Sequence, residues 1–102
     1  MVKYRVCDAL SILDQNLGLF DIILNDVDKH EYPQVFNLAV PLLKKGGLLI
    51  TDNTLWQGRV LDTDPSPSTL GIQSFNKLAH ESALVLTTLL PLRDGVTLSL
   101  KL

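Results

Sequence analysis

The chain has 102 residues, 46% of them hydrophobic, with a net charge of -2 and an isoelectric point near 5.5. That is enough apolar material for one domain over residues 1–102, and it argues against a disordered chain or a generally basic nucleic-acid surface. No apolar run reaches the roughly 18 residues that a membrane span needs, no signal-peptide core opens the sequence, and Cys7 stands alone, so the expectation is a cytoplasmic protein without an intrachain disulfide.

In chain order, "VKYRV" reads as a strand and "DALSILDQ" as a short helix. "DIIL" is a strand whose apolar run lacks period-two alternation, as in parallel strands covered on both faces. "YPQVFNLAVPLLKK" reads as a helix with Pro33 in its first turn, Pro41 bending or loosening its end, and Gly46-Gly47 closing it. "GLLIT" is another buried strand. "LDTDPSPST" is a surface loop, too near the middle of a short chain to join two domains. "STLGIQSFNKLAHES" is an amphipathic helix capped by Ser68 or Thr69, offering Leu70, Phe75, Leu78 and Ala79 to a core. "ALVLTTLLPL" and "GVTLSLKL" flank Arg93-Asp94-Gly95, and Asp-Gly favours a tight antiparallel hairpin. The alternation of strands and helices predicts an α/β fold with a mainly parallel sheet and an antiparallel C-terminal hairpin.

In such sheets ligands sit beyond the carboxyl ends of the strands. "DIIL" runs into Asn25-Asp26 and "GLLIT" into Asp52-Asn53, and the helix between them makes the strands neighbours about 4.8 Å apart. Asp26, Asp52 and Asn53 are therefore expected to converge. Two carboxylates that close repel unless one is protonated or a cation lies between them, and with an amide oxygen they form a hard donor set for Mg²⁺, Ca²⁺ or Mn²⁺. Taken singly, the same residues also read as a helix cap and a turn. Lys29 lies on the same rim, where a metal could lower its pKa and let it accept a proton, although its spacing alone reads as a solvated lysine. Trp56 follows closely and is expected to pack under the rim. His30 and His80 show no metal-ligand spacing and read as surface residues.

"FDIILNDVDKHEYP", "AVPLLKKGGLLITDNTLWQGRV" and "LLPLRDGVTLSLK" together resemble the cation-dependent O-methyltransferases, the group of catechol and caffeoyl-CoA O-methyltransferases, in their bacterial style. The first pattern is carried by Phe20, Asp21, Asp26, Asp28, Lys29 and Tyr32, and the second runs from Gly46 to Gly58. The resemblance implies the C-terminal half of a Rossmann-like methyltransferase fold. It also implies Asp26, Asp52 and Asn53 as ligands of a divalent metal and Lys29 as the general base. Asp28 and Ala9 match positions that contact S-adenosylmethionine, with Asp26 beside them. Lys29, Trp56 and Gln57 fall on the acceptor side. The implied reaction is methyl transfer to one hydroxyl of a small phenol with two vicinal oxygens.

Three departures qualify this. Cys7 stands where the family usually has glycine. Ser82 and Leu84 replace a common Asp and Arg, which removes an expected salt bridge. Family members are also about twice as long, and the glycine-rich cofactor loop and the ribose-binding acid that they carry upstream have no counterpart here. The expectation is that this chain alone binds the cofactor poorly and does not turn over. The two family strands that separate "VKYRV" from "DIIL" are absent as well, so "DIIL" becomes an exposed apolar edge through which two chains could pair as a homodimer. Two other readings stand beside the catechol-type enzyme: the same chemistry on hydroxylated uridine in transfer RNA, which the acidic pI disfavours, and an inactive metal-binding or assembly fragment.

Overall fold

The computed structural model describes residues 9–13 and 19–102. The expected first strand and Cys7 lie outside the described residues. The elements are helix α1 (Ala9–Leu13), strand β1 (Phe20–Asn25), helix α2 (Tyr32–Ala39), strand β2 (Leu43–Asp52), helix α3 (Pro67–Glu81), and strands β3 (Val85–Leu90) and β4 (Val96–Lys101). The sheet has the order β1-β2-β4-β3. β1 and β2 are parallel, and β4 runs antiparallel to both β2 and β3, so it is the one reversed strand of the four. The expected α/β class, with a mainly parallel set of strand directions and an antiparallel C-terminal hairpin, is what the chain forms.

Several boundaries differ from expectation, each for a local reason. α2 ends at Ala39 and gives way to a 3-10 turn, Val40–Leu42, because Pro41 has no N–H to continue the ladder. Gly46-Gly47 does not close that helix. Both glycines lie inside β2, where Gly46 has φ +83° and the β1–β2 register slips between Phe20↔Leu43 and Ile22↔Leu48. A side chain at Gly47 would meet backbone oxygens of Lys44 at 2.9 Å and Asp21 at 3.0 Å. α3 begins earlier than expected. Its cap is Ser66, whose Oγ accepts from the Thr69 N–H at 3.2 Å, with Pro67 opening the first turn.

The core lies between the helices and one face of the sheet. Phe75 packs edge-on against Tyr32 and Phe36, with centroids 5.6 and 6.0 Å away, and Leu49, Ile72, Val35 and Ala79 fill in around them. Leu70, expected in this core, points outward and is 53% exposed; Ile72 takes the inward place. The ladders sort the strands into two faces. Ile23, Leu49, Ser99 and Thr87 form one inward row, and Asn25, Thr51, Thr97 and Leu89 the next. On the opposite face run Ile22, Leu48, Leu100 and Leu86, then Leu24, Ile50, Leu98 and Thr88. Among the described residues, β1 is an edge strand. Ile22 and Leu24, on the face turned away from α2 and α3, are 60% and 70% exposed, so the expectation of cover on both faces is not met.

Candidate metal and acceptor site

Parallel pairing of Asn25 with Thr51 brings the ends of β1 and β2 side by side. Asp52 is the last residue of β2, and Asp26 follows one position past β1. The two acids therefore share one rim of the sheet, as the sequence led us to expect. Asn25 and Thr51 sit beneath them, buried, and Asn25 Nδ2 and Thr51 Oγ1 have no partner among the described residues.

The chain itself sets a cation at this rim. Lys29 Nζ sits 3.1 Å from Asp26 Oδ1, with Asp26 well exposed and Lys29 largely covered. The same ammonium lies over the Tyr32 ring, 5.0 Å from its centroid, and over the Trp56 ring at 5.9 Å. Burial pulls the Lys29 pKa down, but hydrogen bonding and charge at Tyr32 and Asp26 outweigh it and hold the group above its ordinary 10.5. Lys29 is thus a firm cation in the protein alone, opposite to the lowering anticipated for a lysine beside a metal. Burial also raises the Tyr32 phenol, with Lys29 acting against it, so the hydroxyl keeps its proton and donates it to the Asp52 carbonyl at 2.8 Å.

Beyond β2 the chain turns through left-handed backbone at Asn53 (φ 62°), Trp56 (φ 51°), Gln57 (φ 54°) and Gly58 (φ 80°). Asparagine tolerates this region, but Trp56 and Gln57 carry side chains that rarely adopt it, so surrounding contacts must hold them there. Asn53 N donates to Asp52 Oδ1 at 2.7 Å. Thr54 is fully buried: its N–H reaches Gly95 O at 3.1 Å, its carbonyl accepts from Asn76 Nδ2 at 2.9 Å, and its hydroxyl accepts from Thr97 at 2.9 Å. Trp56 packs against the core as expected, with Arg59 stacked on its outer side at 5.0 Å. Gln57 is exposed on this turn, and its Oε1 lies 3.4 Å from Arg59 Nη2.

Among the described residues, no hydrogen bond or ion pair joins Asp28 or Ala9 to Asp26, Asp52 or Asn53. Asp28 is exposed and opens the 3-10 turn Lys29–Glu31, while Ala9 stands exposed at the start of α1. The sequence reading gave no ligand role to His30, yet Asp28, His30 and Glu31 offer ligand atoms that all lie within 4.8 Å of one another. It also read Asp94 only as a turn residue. Its carboxylate accepts from Asn53 Nδ2 at 2.9 Å and from the Gln57 N–H at 2.6 Å. The only signal for that role was an acid at a hairpin tip whose partner strand ends beside Asn53.

The profile of the O-methyltransferase family matches residues 1–102. The chain is 34% identical to mouse catechol O-methyltransferase domain-containing protein 1 over 99% of its own length and 41% of that protein's. It is 32% identical to caffeoyl-CoA O-methyltransferase 5 of Nicotiana tabacum, covering 95% of this chain and 46% of that one. A solved O-methyltransferase from Bacillus cereus, in complex with SAH, superposes with a TM-score of 0.84 at 30% identity over 92% of this chain and 47% of that chain. The chain thus spans less than half the length of these relatives. With the two acidic strand ends and the rim built on them, these likenesses show that the chain belongs to the O-methyltransferase family.

Proposed function

We propose that the chain carries the metal- and acceptor-binding rim of an S-adenosylmethionine-dependent O-methyltransferase that methylates one hydroxyl of a phenol with two vicinal oxygens, of catechol or caffeoyl type. The observation that carries this reading is the placement of Asp26, Asp52 and Asn53 at the ends of two paired parallel strands with Lys29 against them. The donor set fits a divalent cation such as Mg²⁺: two carboxylates and an amide, all oxygen donors, with unpartnered polar atoms of Asn25 and Thr51 beneath.

When bound, S-adenosylmethionine supplies an electrophilic methyl group and a divalent cation lowers the pKa of a chelated hydroxyl. Asp26, Asp52 and Asn53 would hold the cation. Lys29 Nζ takes the hydroxyl proton in its neutral form, so its ion pair with Asp26 has to loosen as the site fills. Trp56, Gln57 and Arg59 border the acceptor, and Asp28 and Ala9 lie on the cofactor side. Holding the oxygen and the methyl in register would supply much of the acceleration.

Calorimetric titration with Mg²⁺ and with S-adenosylmethionine, each with and without the other, tests this beside Asp52→Ala. Mg²⁺ uptake that disappears in Asp52→Ala supports the rim as a metal site. A wild-type chain that takes up no Mg²⁺ sinks it. The exposed strand β1 favours a second reading, in which the chain works only when assembled, and we propose a homodimer paired along that edge. A monomer by light scattering at all soluble concentrations excludes it.

A further inference from the structure

The hairpin between β3 and β4 lies far from the rim in sequence, yet it is bonded to the segment that follows Asp52 at four points. Asn53 Nδ2 and the Gln57 N–H both donate to the Asp94 carboxylate, the Leu55 N–H donates to the Asp94 carbonyl at 2.9 Å, and the Thr54 N–H donates to the Gly95 carbonyl. Gly95 makes this approach possible. Its φ is +85°, and a Cβ there would lie 2.7 Å from Leu55 Cγ and 2.8 Å from Leu55 N.

The chemistry of the Asn53–Asp94 contact fixes more than a position. An ionised carboxylate is an acceptor only, so the amide facing it must present its NH₂ group. Once Nδ2 is committed to Asp94, the other end of the amide is Oδ1, the only side-chain atom of asparagine that a hard cation accepts. Without this partner the amide could rotate by a half-turn and offer the NH₂ group, which repels a cation. The second carboxylate oxygen of Asp94 holds the Gln57 N–H and so ties the left-handed turn at Trp56 and Gln57 to the same anchor.

We infer that Asp94 is a positioning residue for the rim: it sets which end of the Asn53 amide faces a bound cation and holds the 53–58 turn that borders the acceptor. This deepens the proposed function and rests on Asn53 being a cation ligand. It assigns to the hairpin tip the part that outer partners play around metal sites, where a group one bond removed orients the ligand atom.

The discriminating variant is Asp94→Asn, which keeps size and shape. The one remaining acceptor oxygen of residue 94 stays on the fixed Gln57 N–H, the shorter contact at 2.6 Å, which turns an NH₂ group to the Asn53 amide, and the two NH₂ groups cannot both remain. The Asn53 amide turns over, or the pair separates. The expected result is a fold with unchanged far-ultraviolet dichroism and Mg²⁺ affinity reduced about tenfold or more. In the metal-free chain, the Asn53 side-chain amide loses its distinct chemical shifts and slow exchange, while the Gln57 backbone amide keeps its own. The double variant Asn53→Asp with Asp94→Asn reverses donor and acceptor and again leaves an oxygen outward, so it should recover Mg²⁺ binding. A purely structural hairpin contact would instead lower the melting temperature of Asp94→Asn and leave the Mg²⁺ affinity of its folded fraction unchanged. If Asp94→Asn binds Mg²⁺ as the wild type does, or leaves the Asn53 amide signals in place, the inference is overturned while the proposed function stands. If the wild-type chain binds no Mg²⁺, the metal reading and the cation role of Asp94 fall together. If Asp94→Asn fails to fold, the wild-type Asn53 side-chain amide decides: NH₂ protons that keep slow exchange when Mg²⁺ binds support the inference, and their release on binding overturns it.

Discussion

The two faces of the sheet are made of the wrong residues for a naive reading. The face packed against α2 and α3 carries hydroxyls and an amide in its second row: Asn25, Thr51 and Thr97, all buried. The face turned away carries Ile22, Leu24, Leu48, Ile50, Leu98, Leu100 and Leu86, and its outer members Ile22, Leu24 and Leu86 are at least 60% exposed. Apolar character therefore does not tell which face this chain covers. It tells which faces are built to be covered, and in mainly parallel sheets that is both. On the packed side, pairing replaces oiliness: Thr97 donates to Thr54, and Thr87 Oγ1 donates to the Ala79 carbonyl at 2.7 Å while meeting Ser99 at 3.1 Å.

Substitutions can break this contrast, beginning with the largest expected effect. Phe75→Ala on the packed side should cost about 3–5 kcal/mol, since it empties the space between Tyr32 and Phe36; urea unfolding measures it. Leu86→Ala on the open side should cost about 0.5 kcal/mol or less in the same assay, and equal losses would sink the distinction. Gly71→Ala should cost about 1–3 kcal/mol. A Cβ at that point of α3 meets the Lys29 carbonyl oxygen, and His30 Cα at 2.6 Å, so α3 must be pushed away from the turn that carries Lys29. Faster amide exchange at Glu31, whose N–H bonds the Asp28 carbonyl, would accompany the loss. Ser66→Ala should cost about 1 kcal/mol through the lost cap of α3, read as a lower melting temperature. The smallest change in stability belongs to Leu24→Lys. It should leave unfolding nearly unaltered while reducing self-association and dye binding by the open face, and an unchanged association state would count against pairing near β1.

How much of this was legible in the sequence depends on how far apart the interacting residues lie. The convergence of Asp26 with Asp52 follows from two apolar runs, the helix between them and the rule for parallel crossovers, so it could be read directly. Leu70 and Ile72 could not be told apart as core residues, because α3 starts at Pro67 and its inward stripe is set by contact with the Lys29–Glu31 turn. Gly46-Gly47 looked like a helix stop because a bulge in a strand asks for the same backbone freedom as the end of a helix. Asp94 was hidden more deeply. Its bonds to Asn53 and Gln57 span 41 and 37 positions, and no local pattern reports a contact of that kind.

The buried Thr54 has a thermodynamic consequence for the rim above it. Its amide, carbonyl and hydroxyl are each bonded to a different element: the hairpin, α3 and β4. The run of left-handed residues beginning at Asn53 is thereby immobilised when the domain folds. Ordering backbone costs about 1–2 kcal/mol per residue. Here that loss of freedom is met by the folding reaction, so a ligand arriving at the rim finds its wall already in place and does not have to supply the ordering entropy itself.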